Sequence, residues 1–228
     1  MKSISIVIPA LNEKDGIVST IQKIPKERLT QMGYTVQILI VDNGSSDGTG
    51  DLARKAGADV VVEQKRGYGS AFKCGFSNAK GNIIATSDAD GTYPVECIPD
   101  FVTILESEEL DFITTNRFNS LDNNAMSTRN RTGNLILNSV ENILFNLKLK
   151  DSQSGMWVFK KDILNKLVLK SDTAAFSQEL KIEACHFAQL KCKEVPIKYL
   201  PRLGEAKLGG WKCGLANLSH LFKKRLIR

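Results

Sequence analysis

The feature that most constrains the fold of this chain is an alternation of short β-rich runs with helical patterns through its first half. Runs rich in Val, Ile and Thr are predicted to be strands, namely residues 4–10, 36–42, 58–64, 82–88 and 111–117. The intervening helical patterns cover residues 14–24, 48–57, 69–80 and 98–108. Such alternation predicts an α/β fold with a mostly parallel central sheet and helices on both faces.

The loops that follow four of these runs are the most polar and glycine-rich parts of the first half. They read PALNE, VDNGSSDGT, QKRGYGS and SDADGTYP. In open parallel sheets, ligands bind beyond the carboxyl ends of the strands. The sequence therefore predicts a binding site built from these loops.

The second half of the sequence is less regular. Residues 128–147 predict an amphipathic helix with an Arg-rich start, QSGMWVFKKDILNKL a strand followed by a helix, FSQELKIEACHFAQL a helix, and KEVPIKYLP a strand. No repeat or interdomain linker interrupts the chain, so we expect a single domain over residues 1–228. No apolar run reaches the roughly 18 residues that a transmembrane helix needs.

The tail, residues 210–228, is predicted to be an amphipathic helix. One face carries Trp211, Leu215, Leu218 and Phe222, and basic residues gather near its end. Such a helix either packs on the domain or lies on an anionic membrane surface, where aromatic and basic residues are favoured together. The sequence leaves both alternatives open.

Composition excludes several classes of chemistry. Because His186 and His220 are the only histidines, neither a His-rich metal site nor a His-based catalytic triad is plausible. The five cysteines are scattered and form no C-x-x-C pair, which favours free thiols in a reducing compartment. The net charge of +6 suits an anionic ligand or membrane surface, and no motif supports a nucleic-acid partner.

Asp88 and Asp90 lie one residue apart after the fourth predicted strand. Asp-Gly is a common turn dipeptide, so the pair has a purely structural explanation. Two carboxylates this close also suit a hard divalent cation, Mg²⁺ or Mn²⁺, that carries substrate phosphates. Such a cation would screen the repulsion between the carboxylates and hold a diphosphate leaving group.

The other strand-end loops have comparable alternatives. Asp42 ends a buried strand and is placed to accept hydrogen bonds from a base or ribose, whereas Ser46 and Asp47 suit capping of the next helix. Glu13 also suits the start of a helix. The glycines of RGYGS allow close approach to a phosphate, but their spacing departs from G-x-G-x-x-G and disfavours NAD binding.

Basic residues gather at predicted strand ends and helix starts in the second half. They are Arg117, Arg129, Arg131, Arg202 and Lys207. Each one alone is explained by a solvated surface, whereas their clustering favours phosphate binding. Glu179 is the only candidate for a general base if the acceptor is a sugar hydroxyl, and it equally suits the first turn of a helix.

Taken in order, several motifs resemble those of one enzyme family. They are IVIPALNE, VDNGSSDGT, RGYGSAFKCGFSNAKG, DADGTYP, DSQSGMWVFKKD and EVPIKYLPRLGEAKL. With them, the chain resembles the inverting glycosyltransferases of family 2, which have the GT-A fold. The last two motifs are similar to those of the branch of dolichyl-phosphate mannose synthase and related polyprenyl-phosphate sugar transferases.

The resemblance implies metal-dependent, inverting transfer of a hexosyl group from a nucleotide sugar to a polyprenyl or dolichyl phosphate. GDP-mannose is favoured over UDP-glucose as the donor, and Mg²⁺ or Mn²⁺ is the expected cofactor. The expected location is the cytoplasmic face of a membrane, with peripheral attachment through the tail helix, the lipid or a membrane-anchoring partner protein. Two alternatives stay open: a GT-A enzyme acting on a glycan or soluble acceptor, and a non-catalytic nucleotide-sugar binding module.

The resemblance also assigns roles to residues of this chain. The donor-binding residues are Pro9, Glu13, Asp42, Asn43, Asp88, Ala89, Asp90, Arg202 and Lys207, with Asp88 and Asp90 also holding the metal. The residues assigned to catalysis are Asp90, Arg117, Arg131, Gln153 and Ser154, the two arginines receiving the acceptor phosphate. The chain departs from the family pattern at Leu11, Asn43 and Thr92, where other members carry an aromatic residue, a second Asp and a Gln.

A phosphate acceptor agrees with the composition without any appeal to the family. The second pKa of a phosphate monoester is near 6, so the acceptor is already an anionic nucleophile at neutral pH. It therefore needs positioning and charge neutralisation more than it needs a general base. A sequence poor in His and rich in Arg suits that requirement.

Overall fold

The computed structural model describes residues 1–121, 125–205 and 211–227. The strands within these residues are β1 (Lys2–Ala10), β2 (Tyr34–Asp42), β3 (Asp59–Val62), β4 (Ile83–Thr86), β5 (Phe112–Leu121), β6 (Trp157–Lys160) and β7 (Cys192–Tyr199). They form one sheet in the order β3-β2-β1-β4-β6-β5-β7. Every neighbouring pair is parallel except those of β6, which runs antiparallel to both β4 and β5. The predicted mostly parallel α/β sheet is confirmed.

Helices cover both faces of this sheet. They are α1 (Ile17–Lys23), α2 (Lys26–Gln31), α3 (Thr49–Lys55), α4 (Tyr68–Asn78), α5 (Ile98–Ser107), α6 (Thr128–Phe145), α7 (Phe176–Lys181) and α8 (Trp211–Leu226). Because side chains of a strand alternate between faces, Ile6 of β1 packs in one core with α1, α2 and α5, and Val7 packs in another with α4 and α7. A π-helical turn, Ile182–Phe187, continues α7.

The observed elements differ from the predicted ones in a few places. Helix α2 is only six residues long and begins after Pro25, beyond the predicted helix 14–24, and it was not predicted. The helix predicted after β6 is a 3-10 helix, Lys161–Lys166. The direction of β6 was not predicted, because strand direction depends on long-range pairing rather than on local pattern. In the part of the chain that the structure describes, no helix is long and apolar enough to cross a membrane.

The tail helix α8 packs against α6 through a third apolar cluster that includes Leu137, Phe145, Ile182 and Leu221. Lys224 of the same helix is only 3% exposed, and its Nζ lies 3.1 Å from Glu179 Oε1 and 2.8 Å from Glu183 Oε1. Apolar contacts and a buried ionic cluster therefore anchor α8 to the domain.

The opposite face of α8 is apolar and exposed. Leu215 is 63% exposed, Phe222 49% and Leu226 83%. Of the predicted apolar face, Leu218 turns partly inward, and the side chain of Trp211 lies outside the described part of the structure. The helix thus packs on the domain and also presents an apolar surface to its surroundings.

Candidate active site

A cleft of about 880 Å³ opens at the edge of the sheet where the parallel strands end. It is lined by residues from the ends of β1, β2, β4 and β5 and from the starts of α4 and α6, and by residues of α8. Those residues include Pro9, Glu13, Asn43, Tyr68, Asp88, Ala89, Asp90, Arg117, Arg129, Gln153, Arg202, Leu215 and Asn217. The predicted strand-end site is therefore a single cavity.

The loop after β1 is bonded to the loop after β2. The Asn12 N–H donates to Ser45 Oγ at 3.0 Å, and Asn12 Oδ1 accepts from the Ser46 N–H at 2.8 Å. The Glu13 N–H donates to Thr49 Oγ1 at 2.9 Å. These bonds between the two loops hold Glu13 in the wall of the cleft.

Asp42 and Asn43 both form hydrogen bonds with backbone groups. Asp42 Oδ1 accepts from the Ser45 N–H at 2.8 Å, and Asp42 is not among the described residues that line the cleft. Asn43 does line it, but its Nδ2 donates to the carbonyls of Glu63 and Lys65 at 3.0 and 2.9 Å. Its Oδ1 accepts from the Gly67 N–H at 2.8 Å, so the amide joins the end of β2 to the start of α4.

Asp88 and Asp90 follow β4 and have different partners. Asp88 Oδ1 accepts from the Tyr68 hydroxyl at 3.0 Å, while burial and the charge of Asp90 raise the pKa of Asp88 to about 7. Asp90 Oδ1 accepts from the N–H and the hydroxyl of Thr92 at 3.1 and 2.7 Å. The Thr92 hydroxyl is thus bonded to Asp90. Because Asp90 forms these turn bonds and also lines the cleft, a role in the turn and a role in ligand binding are compatible.

Arg202 forms ion pairs with Glu13 and Asp90. Its Nη2 is 2.7 Å from Glu13 Oε1 and 3.1 Å from Asp90 Oδ2. The chain after β7 is brought there by backbone bonds, because the N–H of Leu203 donates to the Asp90 carbonyl at 2.8 Å. A cation of the protein itself therefore already neutralises part of this acidic site.

The residues at this position fit a divalent cation. Asp88 and Asp90 supply hard oxygen ligands at one strand end, where burial and, after it, the neighbouring charge of Asp90 raise the pKa of Asp88. Within residues 1–121, 125–205 and 211–227, no group of three or more His, Cys, Asp or Glu side chains is arranged to hold a metal. An ion held here would therefore take its remaining ligands from the substrate and water.

Arg117 is fixed by a buried ionic pair on the other side of the cleft. Its Nε and Nη2 donate to Asp151 at 2.7 and 2.8 Å, and the Tyr199 ring centroid lies 5.3 Å from its guanidinium carbon. Although burial acts in the opposite direction, the charge of Arg117 keeps the pKa of Asp151 below its ordinary value. Lys181 is also fully buried, and its Nζ donates to the carbonyls of Asp151, Ser152 and Ser154.

Gln153 reaches the cleft because β6 is antiparallel. Its segment precedes β6, so it lies at the edge where the neighbouring strands end. A Cβ atom on Gly155 would lie 2.3 Å from the Tyr68 hydroxyl, so the glycine of the QSG motif makes room for the residue that holds Asp88. Ser154 is completely buried, and its hydroxyl lies 2.6 Å from Thr115 Oγ1.

The glycines of RGYGS have a structural explanation. Gly67 has a φ of +142°, and a Cβ atom on it would lie 2.1 Å from the Asp172 carbonyl oxygen. A Cβ atom on Gly69 would lie 2.3 Å from the Ser171 carbonyl oxygen. Both glycines therefore admit the backbone of residues 171–172 beside the start of α4.

The structure brings most of the predicted site residues together, with some exceptions. Among the described residues, Asp42, Arg131, Ser154 and Glu179 do not line the cleft, and Arg129 lines it where Arg131 does not. Lys207 lies outside the described residues. The buried Glu179 accepts from Lys224 and from the N–H groups of Lys170 and Ser171.

Several residues that shape the site were not predicted. Tyr68 bonds to Asp88, and Asp151 bonds to Arg117. Lys181 bonds to the segment 151–154, and Asn217 bonds to Gln153. Their partners lie at least 20 positions away in sequence. The one available signal was the position of Tyr68 and Asp151 inside motifs whose neighbours had been assigned roles.

Comparison with known proteins places the chain in a family. The family model described as glycosyl transferase family 2 matches residues 5–168. The low-salt glycan biosynthesis hexosyltransferase Agl6 of Haloferax volcanii is 32% identical over 216 residues, covering 92% of this chain and 52% of that protein. The dolichyl-phosphate hexose transferase of the same organism is 29% identical over 213 residues, covering 93% and 90%. The chain thus spans about half the length of the first relative and most of the second.

Solved structures share the fold at low sequence identity. Glucosyl-3-phosphoglycerate synthase from Mycobacterium tuberculosis in complex with UDP has a TM-score of 0.77 and 18% identity, covering 100% of this chain and 81% of that chain. The same enzyme with Mn²⁺, UDP-glucose and phosphoglyceric acid has a TM-score of 0.76, 20% identity and the same coverage. The chain belongs to glycosyl transferase family 2, and it is a glycosyltransferase of the GT-A fold, as its motifs predicted.

Proposed function

We propose that this chain transfers a hexosyl group from a nucleotide sugar to a polyprenyl or dolichyl phosphate, with inversion and with a divalent cation. The observation that carries the proposal is the make-up of the cleft, which joins a charged end to an apolar end. Asp88, Asp90 and Arg117 line the charged end. The apolar end is lined by side chains of α6 and α8, namely Ile136, Leu137, Leu215 and Leu218.

The apolar end of the cleft continues onto the exterior of the protein. Ile136 and Leu215 line the cleft and are 56% and 63% exposed, and Ile143 and Phe222 are further exposed apolar residues of the same two helices. Exposed apolar patches of this kind mark surfaces for ligands, partners or membranes. An acceptor with a phosphate head and an apolar chain matches both ends of such a cleft.

On the donor side, we assign the nucleoside to Pro9 and Glu13, with Asn43 in place of the predicted Asp42, which does not line the cleft. The diphosphate is assigned to Arg202 and Lys207. Complexes of the solved glucosyl-3-phosphoglycerate synthase with UDP and with Mn²⁺ and UDP-glucose support a nucleotide-sugar donor. GDP-mannose stays our favoured donor and UDP-glucose the alternative. When bound by Asp88 and Asp90, Mg²⁺ or Mn²⁺ supplies positive charge to a diphosphate leaving group.

On the acceptor side, an oxygen of the lipid phosphate is the nucleophile. It forms a bond to the anomeric carbon as the bond from that carbon to the nucleotide diphosphate breaks on the opposite face. Arg117 lines the cleft with its orientation fixed by Asp151, and it supplies positive charge for the acceptor phosphate. An anionic phosphate needs no general base, which agrees with the burial of Glu179 away from the cleft.

Membrane attachment is part of the proposal. Leu215, Phe222 and Leu226 are exposed on α8, with Lys223 and Arg225 beside them. Apolar and basic side chains on one helix favour the interface of an anionic membrane. We propose peripheral attachment at the cytoplasmic face through this helix, with the lipid substrate or a membrane partner protein as further contacts. The relative named dolichyl-phosphate hexose transferase supports a lipid acceptor.

The deciding experiment is a two-phase transfer assay. The protein is incubated with Mn²⁺, a short polyprenyl phosphate and radiolabelled GDP-mannose or UDP-glucose, and the label is then partitioned between water and organic solvent. Label in the organic phase is the expected result, and Asp90→Asn is the matched inactive control. A protein that labels only a water-soluble acceptor, such as 3-phosphoglycerate, would contradict the lipid assignment. That arm is included because a solved structural neighbour binds phosphoglyceric acid.

A further inference from the structure

The tail helix contributes a polar residue, Asn217, to the wall of the cleft beside Gln153. Asn217 lies beyond residues 5–168, the part of the chain that matches the family model. We infer that Asn217 Oδ1 accepts a hydrogen bond from a hydroxyl of the transferred hexose, and that this residue contributes to the choice of sugar. The inference deepens the proposed function and rests on its assignment of a nucleotide-sugar donor.

A chain of amide hydrogen bonds fixes the orientation of Asn217. The Gln178 Nε2 donates to the Asn217 backbone carbonyl at 2.7 Å, and a carbonyl only accepts. Gln178 Oε1 must therefore face Gln153, whose Nε2 donates to it at 3.1 Å. Gln153 Oε1 is then left to accept from the Asn217 Nδ2 at 3.0 Å. A flipped amide at any point would place two oxygens or two N–H groups together.

Among the described residues, this chain of hydrogen bonds leaves one acceptor atom, Asn217 Oδ1, without a donor. Asn217 is 5% exposed, and its Oδ1 has no hydrogen-bond partner among residues 1–121, 125–205 and 211–227. A buried polar atom without a partner costs stability, so such atoms call for an explanation. Asn217 also lines the cleft, so a ligand bound there is the source that we infer for the missing donor.

Chemistry limits what that donor can be. An ionised phosphate offers only acceptor oxygens, and a polyprenyl chain offers no polar hydrogen, so neither satisfies a carbonyl oxygen. The nucleoside is assigned to the ends of β1 and β2, whereas Gln153 precedes β6, two strands beyond β1 in the sheet. With Asp88 and Asp90 after β4 between them, the hexose is the donor part that extends toward Asn217.

The first test compares binding of nucleotides with and without the sugar. Dissociation constants of GDP, GDP-mannose, UDP and UDP-glucose are measured by calorimetry with Mn²⁺ for the wild type and Asn217→Ala. We expect the variant to bind its nucleotide sugar about tenfold more weakly while the diphosphate constant stays within about twofold. The matched control is Ser219→Ala, an exposed position of the same helix. Equal weakening of both ligands, or of neither, would overturn the inference.

The second test separates a direct contact from an effect through Gln153. Donors in which each sugar hydroxyl in turn is replaced by hydrogen or fluorine are compared in both proteins, because neither replacement can donate a hydrogen bond. One position should cost the wild type about tenfold in binding and cost Asn217→Ala nothing further. The same loss in both proteins at every position would assign Asn217 a purely structural role. Because these are donor-binding measurements, they remain decisive even if the transfer assay finds no lipid product.

Discussion

On the β1–β2 side of the cleft, side chains are held by hydrogen bonds to backbone groups of neighbouring loops. On the β5–β6 side, they are held by buried ionic and amide pairs between side chains. Asn43 illustrates the first side, because its amide bonds only to the backbone of residues 63–67. Arg117 and Asp151 illustrate the second, as they form an ion pair in which both side chains are buried. Losing one neutral side chain-to-backbone bond costs about 1 kcal/mol, while stranding a buried charge costs about 3–5 kcal/mol.

The difference implies a division of labour within one cavity. The charges around Asp90 are balanced by Arg202, which is partly exposed, so this side tolerates a change of charge when a ligand binds. The charges of Asp151 and Arg117 are buried, and their ion pair joins β5 to the segment before β6. We therefore expect substitutions on the first side to affect catalysis more than stability, and substitutions on the second side to affect stability at least as strongly.

The largest loss of stability is expected for Asp151→Asn. The change leaves the Arg117 guanidinium buried without its counter-charge, so the free energy of unfolding should fall by about 3–5 kcal/mol. Urea unfolding followed by circular dichroism measures it. The matched control is Asp100→Asn, whose pair with Arg28 is about half exposed and screened by water, so it should lose far less stability than Asp151→Asn. Similar losses for both variants would remove the distinction between the two sides.

Asp90→Asn should show the reverse behaviour. The amide oxygen can still accept from Thr92, so stability should change by less than about 1 kcal/mol. The lost charge weakens stabilisation of the departing diphosphate, and transfer should fall about 100- to 1000-fold in the two-phase assay. Asp162→Asn, at an exposed position, is the control. If transfer persists, the metal-diphosphate assignment is wrong, and if the variant unfolds instead, the proposed division of labour fails.

Glu141→Gln tests the buried side of the comparison through the pH dependence of stability. Glu141 lies on α6 facing Lys181, Asp151 and Cys185, and burial raises the pKa of its carboxyl to about 8. Between about pH 5 and 8 the native state keeps a proton that the unfolded chain has lost, so wild-type stability falls as pH rises. The uncharged variant lacks this fall and should be more stable than the wild type by about 5 kcal/mol at pH 9, with no difference near pH 4.

Urea unfolding at a series of pH values measures this difference. Glu109→Gln serves as the control, because its carboxylate is exposed and its surface ion pair with Lys191 is long, at 3.8 Å. The difference between this control and the wild type should stay flat with pH. A flat difference for Glu141→Gln as well would mean that the carboxyl is ionised inside the protein.

The smallest effect is expected on the exterior of α8. Leu215→Ser combined with Phe222→Ser removes exposed apolar area, so stability should hold while binding to anionic vesicles weakens about tenfold. Vesicle co-sedimentation at fixed ionic strength gives the partition coefficient. Val62→Ser, at an exposed apolar position at the end of β3, is the control and should bind as the wild type does. Unchanged partitioning of the double variant would exclude this face as the attachment surface.

The same division explains which parts of the molecule could be predicted from sequence. Strands β1–β5 and their polar loops follow from local periodicity, and the position of Asp88 and Asp90 at a strand end follows with them. The reversal of β6 and the pairing of Arg117 with Asp151 depend on contacts between distant segments, which no local pattern encodes. Asn217 went unnoticed because a polar residue on an amphipathic helix is ordinarily solvated.

The position of α8 in the chain has a consequence for protein synthesis. Asp90 and Trp211, the first residue of α8, are separated by about 120 residues, or roughly 6 to 24 seconds of translation at about 5 to 20 residues per second. The ribosome therefore makes the strand-end loop that carries Asp88 and Asp90 well before it makes the helix that completes the apolar wall. A nascent chain cannot enclose the proposed lipid acceptor until α8 has left the ribosome and packed on α6.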